Sequence, residues 1–180
     1  MAWSAPMTAV ANSTFTAAQF NQFVRDNLNE TAPAKAVSAG SYFAVDGLNS
    51  IAERTPTTDG ILTSETTTST TFANLATVGP SVTVDTGPYA LVLIHCQVEN
   101  SGAGSAYAGV EVSGATSYAA ALNRAVNVFN SANTRIGAST AMLFHGGLTL
   151  TPGTNTFTMK YRVSSGTGTF ADRRIIVMPL

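Results

Sequence analysis

Thr156-Phe157-Thr158-Met159-Lys160-Tyr161-Arg162-Val163 alternates apolar and polar residues without a slip. In an extended chain successive side chains point to opposite faces. Phe157, Met159, Tyr161 and Val163 therefore share one face, and Thr156, Thr158, Lys160 and Arg162 share the other. A strand with one dry and one wet face belongs to an antiparallel sheet over a single core. Outward from this segment, the chain from Phe72 to Leu180 reads as short strands at 72–78, 81–85, 89–99, 106–112, 117–129, 135–145, 147–150, 155–163 and 170–178. Breakers fall between them: Gly79-Pro80, Gly87-Pro88, Gly102 to Gly104, Pro152-Gly153 and Gly166 to Gly168. Many short strands punctuated in this way predict a sandwich or barrel. No crossover helices separate the strands, which argues against a parallel α/β sheet.

Two strands break the one-wet-face rule. In 89–98, Val92, Ile94, Cys96 and Val98 line one face, while Leu91, Leu93 and then His95 line the other. The final run, Arg173-Arg174-Ile175-Ile176-Val177-Met178-Pro179-Leu180, is also apolar on both faces. Outward-facing Leu91, Leu93 and Ile175 or Ile176 predict a second buried surface. Either another subunit covers it or the N-terminal arm or a loop does.

The N-terminal part follows other rules. Residues 1–12 carry Trp3, Pro6, Met7 and Val10 with no helical period. Thr16 and Gln19 then have capping-box spacing, and Phe15 with Phe20 forms a hydrophobic staple. Phe20, Phe23, Val24 and Leu28 recur on one helical face, and Asn29 and Pro33 end it, so a helix is expected over about 17–29. A helix this short is marginal alone and has to dock on something. Residues 33–54, with Tyr42-Phe43-Ala44-Val45 and Gly47, read as a short strand or extended arm with a turn. Residues 55–71 are Thr/Ser-rich turn and linker chemistry. The expected organisation is an anchoring arm at 1–54, a linker at 55–71 and a β-sandwich at 72–180.

Composition narrows the function. The 180 residues suit one domain or a smaller one with an extension, and a 44% hydrophobic content supplies a core. Only 11% of residues are charged, against about 25% usually. A surface of Thr, Ser, Asn and Gly fits either a neutral β-rich exterior or a subunit largely covered by neighbours. The net charge is -1 and no basic run occurs, so nucleic acid is not an expected partner. Arg173-Arg174 is too small a pair to argue otherwise. No apolar stretch approaches a membrane span, and Met1-Ala2-Trp3-Ser4-Ala5-Pro6 has no signal-peptide pattern, so synthesis in the cytoplasm is expected. The lone Cys96 excludes an intrachain disulfide and a cysteine-based zinc cage, and its apolar run predicts a buried thiol.

Catalytic signatures are missing from the sequence. His95 and His145 lie in apolar strand contexts without His-Glu-x-x-His, Gly-x-Ser-x-Gly or a phosphate-binding glycine loop around them, and read as core or interface histidines. The acids are dispersed, with no close pair suited to glycoside hydrolysis or a calcium loop. Asp26 and Glu30 lie i,i+4 on the solvated side of the helix. No enzyme activity, cofactor or metal is expected.

The run Phe15-Thr16-Ala17-Ala18-Gln19-Phe20-Asn21-Gln22-Phe23-Val24-Arg25-Asp26-Asn27-Leu28-Asn29-Glu30-Thr31-Ala32-Pro33, with Trp3 and Pro6 before it, resembles the N-terminus of small virion proteins of tailed bacteriophages, especially those of actinobacteria. Asn49-Ser50-Ile51-Ala52-Glu53-Arg54 looks like part of the same pattern. Leu150-Thr151-Pro152-Gly153-Thr154-Asn155-Thr156-Phe157 and the ending Arg173-Arg174-Ile175-Ile176-Val177 are similar to jelly-roll head domains of phage appendages. The resemblance implies a mainly β protein, an antiparallel jelly-roll-like β-sandwich preceded by an extended N-terminal arm with one short helix. It also implies a virion location and a homotrimer related in architecture to tumour-necrosis-factor-like domains. Trp3, Phe15, Phe20, Phe23, Val24 and Leu28 are then the anchoring residues, and other virion proteins are the partners. A capsid decoration or head-fibre subunit is the first reading, because no coiled coil, collagen repeat or β-solenoid supplies a fibre shaft. A minor tail or tail-fibre protein touching the host is the second. A carbohydrate-binding module ranks lower, since Trp3 lies in the arm and Phe157 and Tyr161 on the core face.

Overall fold

The computed structural model describes residues 3–129 and 134–180, with nothing assigned to the side chain of Pro33. The chain divides into two compact units, one running up to Thr55 and one from Pro56 to Pro179.

The N-terminal unit begins extended. Thr16 then caps a helix that runs unbroken from α1 (Ala17–Phe20) through a π-helical turn (Asn21–Arg25) into α2 (Asp26–Asn29). The capping box is formed as its spacing predicts: Gln19 N donates to Thr16 Oγ1 at 3.2 Å and Thr16 N donates to Gln19 Oε1 at 2.9 Å. The Phe15 and Phe20 rings meet edge to face with centroids 6.2 Å apart, which completes the staple. A single turn, α3 (Ala32–Lys35), leads to an antiparallel hairpin of β1 (Tyr42–Gly47) and β2 (Ser50–Arg54). Asn49, at φ 54°, occupies the left-handed position of its turn, which asparagine tolerates better than most residues.

The larger unit is an antiparallel sandwich. Its strands are β3 (Thr57–Ile61), β4 (Glu65–Thr67), β5 (Ser81–Thr86), β6 (Ala90–Asn100), β7 (Ser105–Gly114), β8 (Ala125–Phe129), β9 (Ile136–Phe144), β10 (Gly153–Val163) and β11 (Gly168–Pro179). One sheet has the order β5-β10-β7-β8. The other has the order β3-β11-β6-β9, with β4 also paired to β11. From β5 to β7, and again from β9 to β11, the chain passes from one sheet to the other at each connection, the double wrap of a jelly roll.

The core sits between the sheets. Phe157, Met159, Tyr161 and Val163 of β10 face Val92, Ile94, Cys96 and Val98 of β6, all essentially buried, as the two alternating patterns predict. Phe144 packs edge-on to Phe157 with centroids 5.7 Å apart. Two buried asparagines tie down loops. Asn155 donates to Thr86 Oγ1 and Thr151 O and accepts from Thr116 N. Asn100 donates to Ser165 O and accepts from Gly102 N.

Several expectations are corrected. The stretch 55–71 is not a free linker, because β3 and β4 form within it and pair with β11. No residue of either strand enters the core, so the apolar alternation that announces a strand is absent and only the backbone ladder reveals them. The expected strand at 72–78 makes only a bridge from Ala73 to Tyr161, and it continues the line of β5 along β10 irregularly. The expected strand at 117–129 forms only over Ala125–Phe129, and 147–150 is replaced by a 3-10 turn at Gly146–Leu148.

Near the end of the chain, Asp172 at φ 47° forms a bulge, and the register with β6 shifts between Ala171 and Arg174. The extra residue turns Arg173 into the interior and leaves Arg174 outside.

Candidate functional site: two apolar surfaces

The N-terminal unit is held together by polar side chains. Asn27, 4% exposed, accepts from Ser4 N at 2.9 Å and donates to Ser4 O at 3.0 Å, so its amide pairs with the extended segment as a neighbouring strand would. Glu53 accepts from Val37 N, Ser38 N and the Ser41 hydroxyl, and these bonds hold its carboxyl below the usual range, the Ser41 hydroxyl contributing most. Lys35 Nζ donates to Ile51 O at 2.7 Å and pairs with Glu30.

These staples leave the apolar side chains outside. Trp3 is 40% exposed, Phe15 53%, Phe20 49% and Leu28 59%, while Phe23 and Val24 are half-buried. Among the described residues of this unit no hydrophobic side chain is buried. The unit fixes its backbone with hydrogen bonds and turns its aromatics outward, which leaves an apolar surface exposed. Asn27 and Glu53 have no apolar period to betray them in the sequence. The only signal is Asn27's position on the helix, one turn after Phe23, whose carbonyl it also bonds at 3.1 Å.

The second surface is the outer face of the β3-β11-β6-β9 sheet. Strand pairing sets it out in rows. Met178, Leu91 and Leu143 lie side by side; then Ile176, Leu93 and Ala141; then Arg174, His95 and Ser139. Directly paired residues of antiparallel strands share a face, so two apolar rows end against a polar one. His95 Nδ1 and Ser139 Oγ are 2.8 Å apart. Leu93, Ala141 and Ile176, with this polar row, line an open groove of about 380 Å³. Leu91 and Leu93 are half-buried and Ile176 is exposed, but Ile175 has no exposed surface and belongs to the core. Of the isoleucine pair, only Ile176 reaches the outer face. β9 ends this sheet, and its segment Ile136–Phe144 contains no charged residue and no proline, the usual protections of a sheet edge.

The opposite sheet is dressed differently. On the outer side of β10, Lys160 bonds Asn74 at 2.8 Å and pairs with Glu111 at 3.1 Å. The Arg162 guanidinium lies over the rings of Phe72 and Tyr107, at 5.8 and 5.6 Å. Thr158 bonds Ser81 and Thr156 bonds Thr83. The face expected to be wet is therefore partly covered by the segment before β5.

The remaining reactive groups are separate. His145 is exposed against Tyr89, with ring centroids 4.5 Å apart, and does not join His95. Burial pushes the Cys96 thiol up to about 12, so it stays a protonated, weakly reactive group. Among the described residues no three His, Cys, Asp or Glu side chains are grouped as metal ligands, and no helix is long and apolar enough to cross a membrane. A scan against protein-family models and a search of curated proteins both find no match.

Proposed function

We propose that the chain is a non-enzymatic structural subunit of a tailed-phage virion, a capsid decoration or head-fibre protein attached by its N-terminal unit and self-associated through its sandwich as a homotrimer. The supporting observation is the division of labour between the units. The sandwich has a dry core, whereas the N-terminal unit holds its shape with polar staples and keeps Trp3, Phe15, Phe20 and Leu28 outside. Aromatics displayed on a small, pre-shaped unit suit an anchor that meets a partner surface at low ordering cost. The paired apolar rows of Leu91, Leu93 and Ile176 beside an unguarded sheet edge suit contact with further copies. Burying one such side chain contributes roughly 1.5–3 kcal/mol, repeated in every subunit. A minor tail or tail-fibre role with host contact is the second reading, favoured by the groove on the same face, which mixes apolar walls with Arg174, His95 and Ser139. The test is binding of purified protein to particles that lack it. Wild type is expected to attach, and a variant with Phe20→Ala and Phe23→Ala is expected to stay in the supernatant. Equal attachment of both would remove the anchor from the account.

A further inference from the structure

We propose that β3 and β4 form a releasable strap along the edge of β11, latched to the sandwich by the Glu65–Arg173 ion pair and opened when Glu65 loses its charge. Three observations carry this. First, no residue from 57 to 67 is buried, so peeling the strap away uncovers no core side chain of its own, Ile61 being only half-buried. The sheet left behind is still three strands wide, β11-β6-β9.

Second, beyond the backbone ladder the strap is held by carboxylates. Glu65 accepts from Thr77 N and the Thr77 hydroxyl and pairs with Arg173 Nη2 at 3.0 Å. Asp59 accepts from Ser81 N at 2.8 Å.

Third, Arg173 is buried with part of its donor set unsatisfied. It has no exposed surface and its Nη2 also donates to Thr63 O of the strap at 3.2 Å, yet Nε and Nη1 have no hydrogen-bond partner among the described residues. Its guanidinium lies 5.6 Å from the Tyr161 ring centroid. A buried cation with unpaired donors is stable only while its counter-charge is present. If Glu65 is neutralised, water can relieve Arg173 by the shortest route, through the strap that covers it.

The charged and titratable neighbours are Asp172 on β11, Cys96 on β6, Tyr161 on β10 and Asp59 on β3. Cys96 and Tyr161 are both pushed up by burial and stay neutral in acid. Thr77's hydroxyl, then its N–H and Arg173, hold Glu65 below its ordinary value. A depressed carboxylate stabilises the closed strap fully above the ordinary carboxylate range, and that stabilisation is lost as pH falls through the depressed value.

The test is amide hydrogen exchange on the full chain, corrected for intrinsic rates, for wild type and Glu65→Gln. At neutral pH the strap amides of Glu65→Gln should exchange roughly tenfold faster or more than in wild type, while β6 and β10 keep their protection. Wild type alone should show the same selective loss as pH is lowered from neutral to below the ordinary carboxylate range, a reading that requires no variant. Strap amides that exchange in step with β6 and β10 in both comparisons would overturn the proposal.

Discussion

Arg173 Nη2 lies 3.0 Å from Glu65 Oε2, although Arg173 follows a bulge in the last strand and Glu65 lies more than a hundred residues earlier, in a strand only three residues long. The guanidinium is wholly buried and the carboxylate is 14% exposed. Pairs of this kind contribute less to net stability than their removal costs, because desolvation offsets most of the attraction. A double-mutant cycle should show this. Glu65→Gln and Arg173→Met alone should each destabilise, and the double variant should be less destabilised than their sum, with a coupling of about 0.5–3 kcal/mol. Additive denaturation midpoints would mean that the two side chains act independently.

The domain boundary moves accordingly. A fragment starting at Pro56 keeps β3 and β4, whereas one starting at Phe72 leaves Arg173 without Glu65 or the Thr63 carbonyl. The first should melt cooperatively as a folded sandwich, and the second should be less stable by about 3 kcal/mol or more. Equal melting curves would show that the strap contributes nothing to the fold.

Ile175 and Leu93 separate folding from the proposed assembly. Ile175→Ala removes a fully buried side chain and should cost about 2–5 kcal/mol, read as a lower melting temperature. Leu93→Glu alters a half-buried position facing outward, where a lone chain can hydrate the new carboxylate. It should therefore leave a folded protein that has lost self-association by light scattering, because the charge would be buried unpaired in an interface. A wild-type sandwich that stays monomeric at micromolar concentration would remove the trimer proposal.

In the N-terminal unit, Asn27→Ala should free the extended segment around Ser4, at a local cost of about 1–3 kcal/mol for the bonds lost, and should speed exchange of the Ser4 amide. The sandwich should melt as before. Unchanged protection at Ser4 would mean that the segment is held by something other than Asn27.

The sequence made legible whatever depends on one-sided burial. β10 announces itself because alternate residues are dry, and the helix announces itself because Thr16, Gln19, Phe15 and Phe20 stand at fixed offsets. The helical stripe of Phe20, Phe23, Val24 and Leu28 and the outward leucines followed from the same periods. Elements held by backbone pairing or single polar groups were hidden. β3 and β4 contribute nothing to the core, so their Thr-rich text reads as linker. Ile175 and Ile176 could not be assigned to faces, because the Asp172 bulge resets the alternation three residues before Ile175. For the same reason nothing in the sequence pattern marked Arg173 as an interior charge.

The virion assignment is tested most directly by immunogold labelling of intact, purified particles produced by the genome that encodes this chain, with an antibody raised against the sandwich. Label at regular positions on the capsid is the predicted result, and label confined to the tail would select the tail-protein reading. Particles that carry no label, while the protein is found only free in the lysate, would contradict the account.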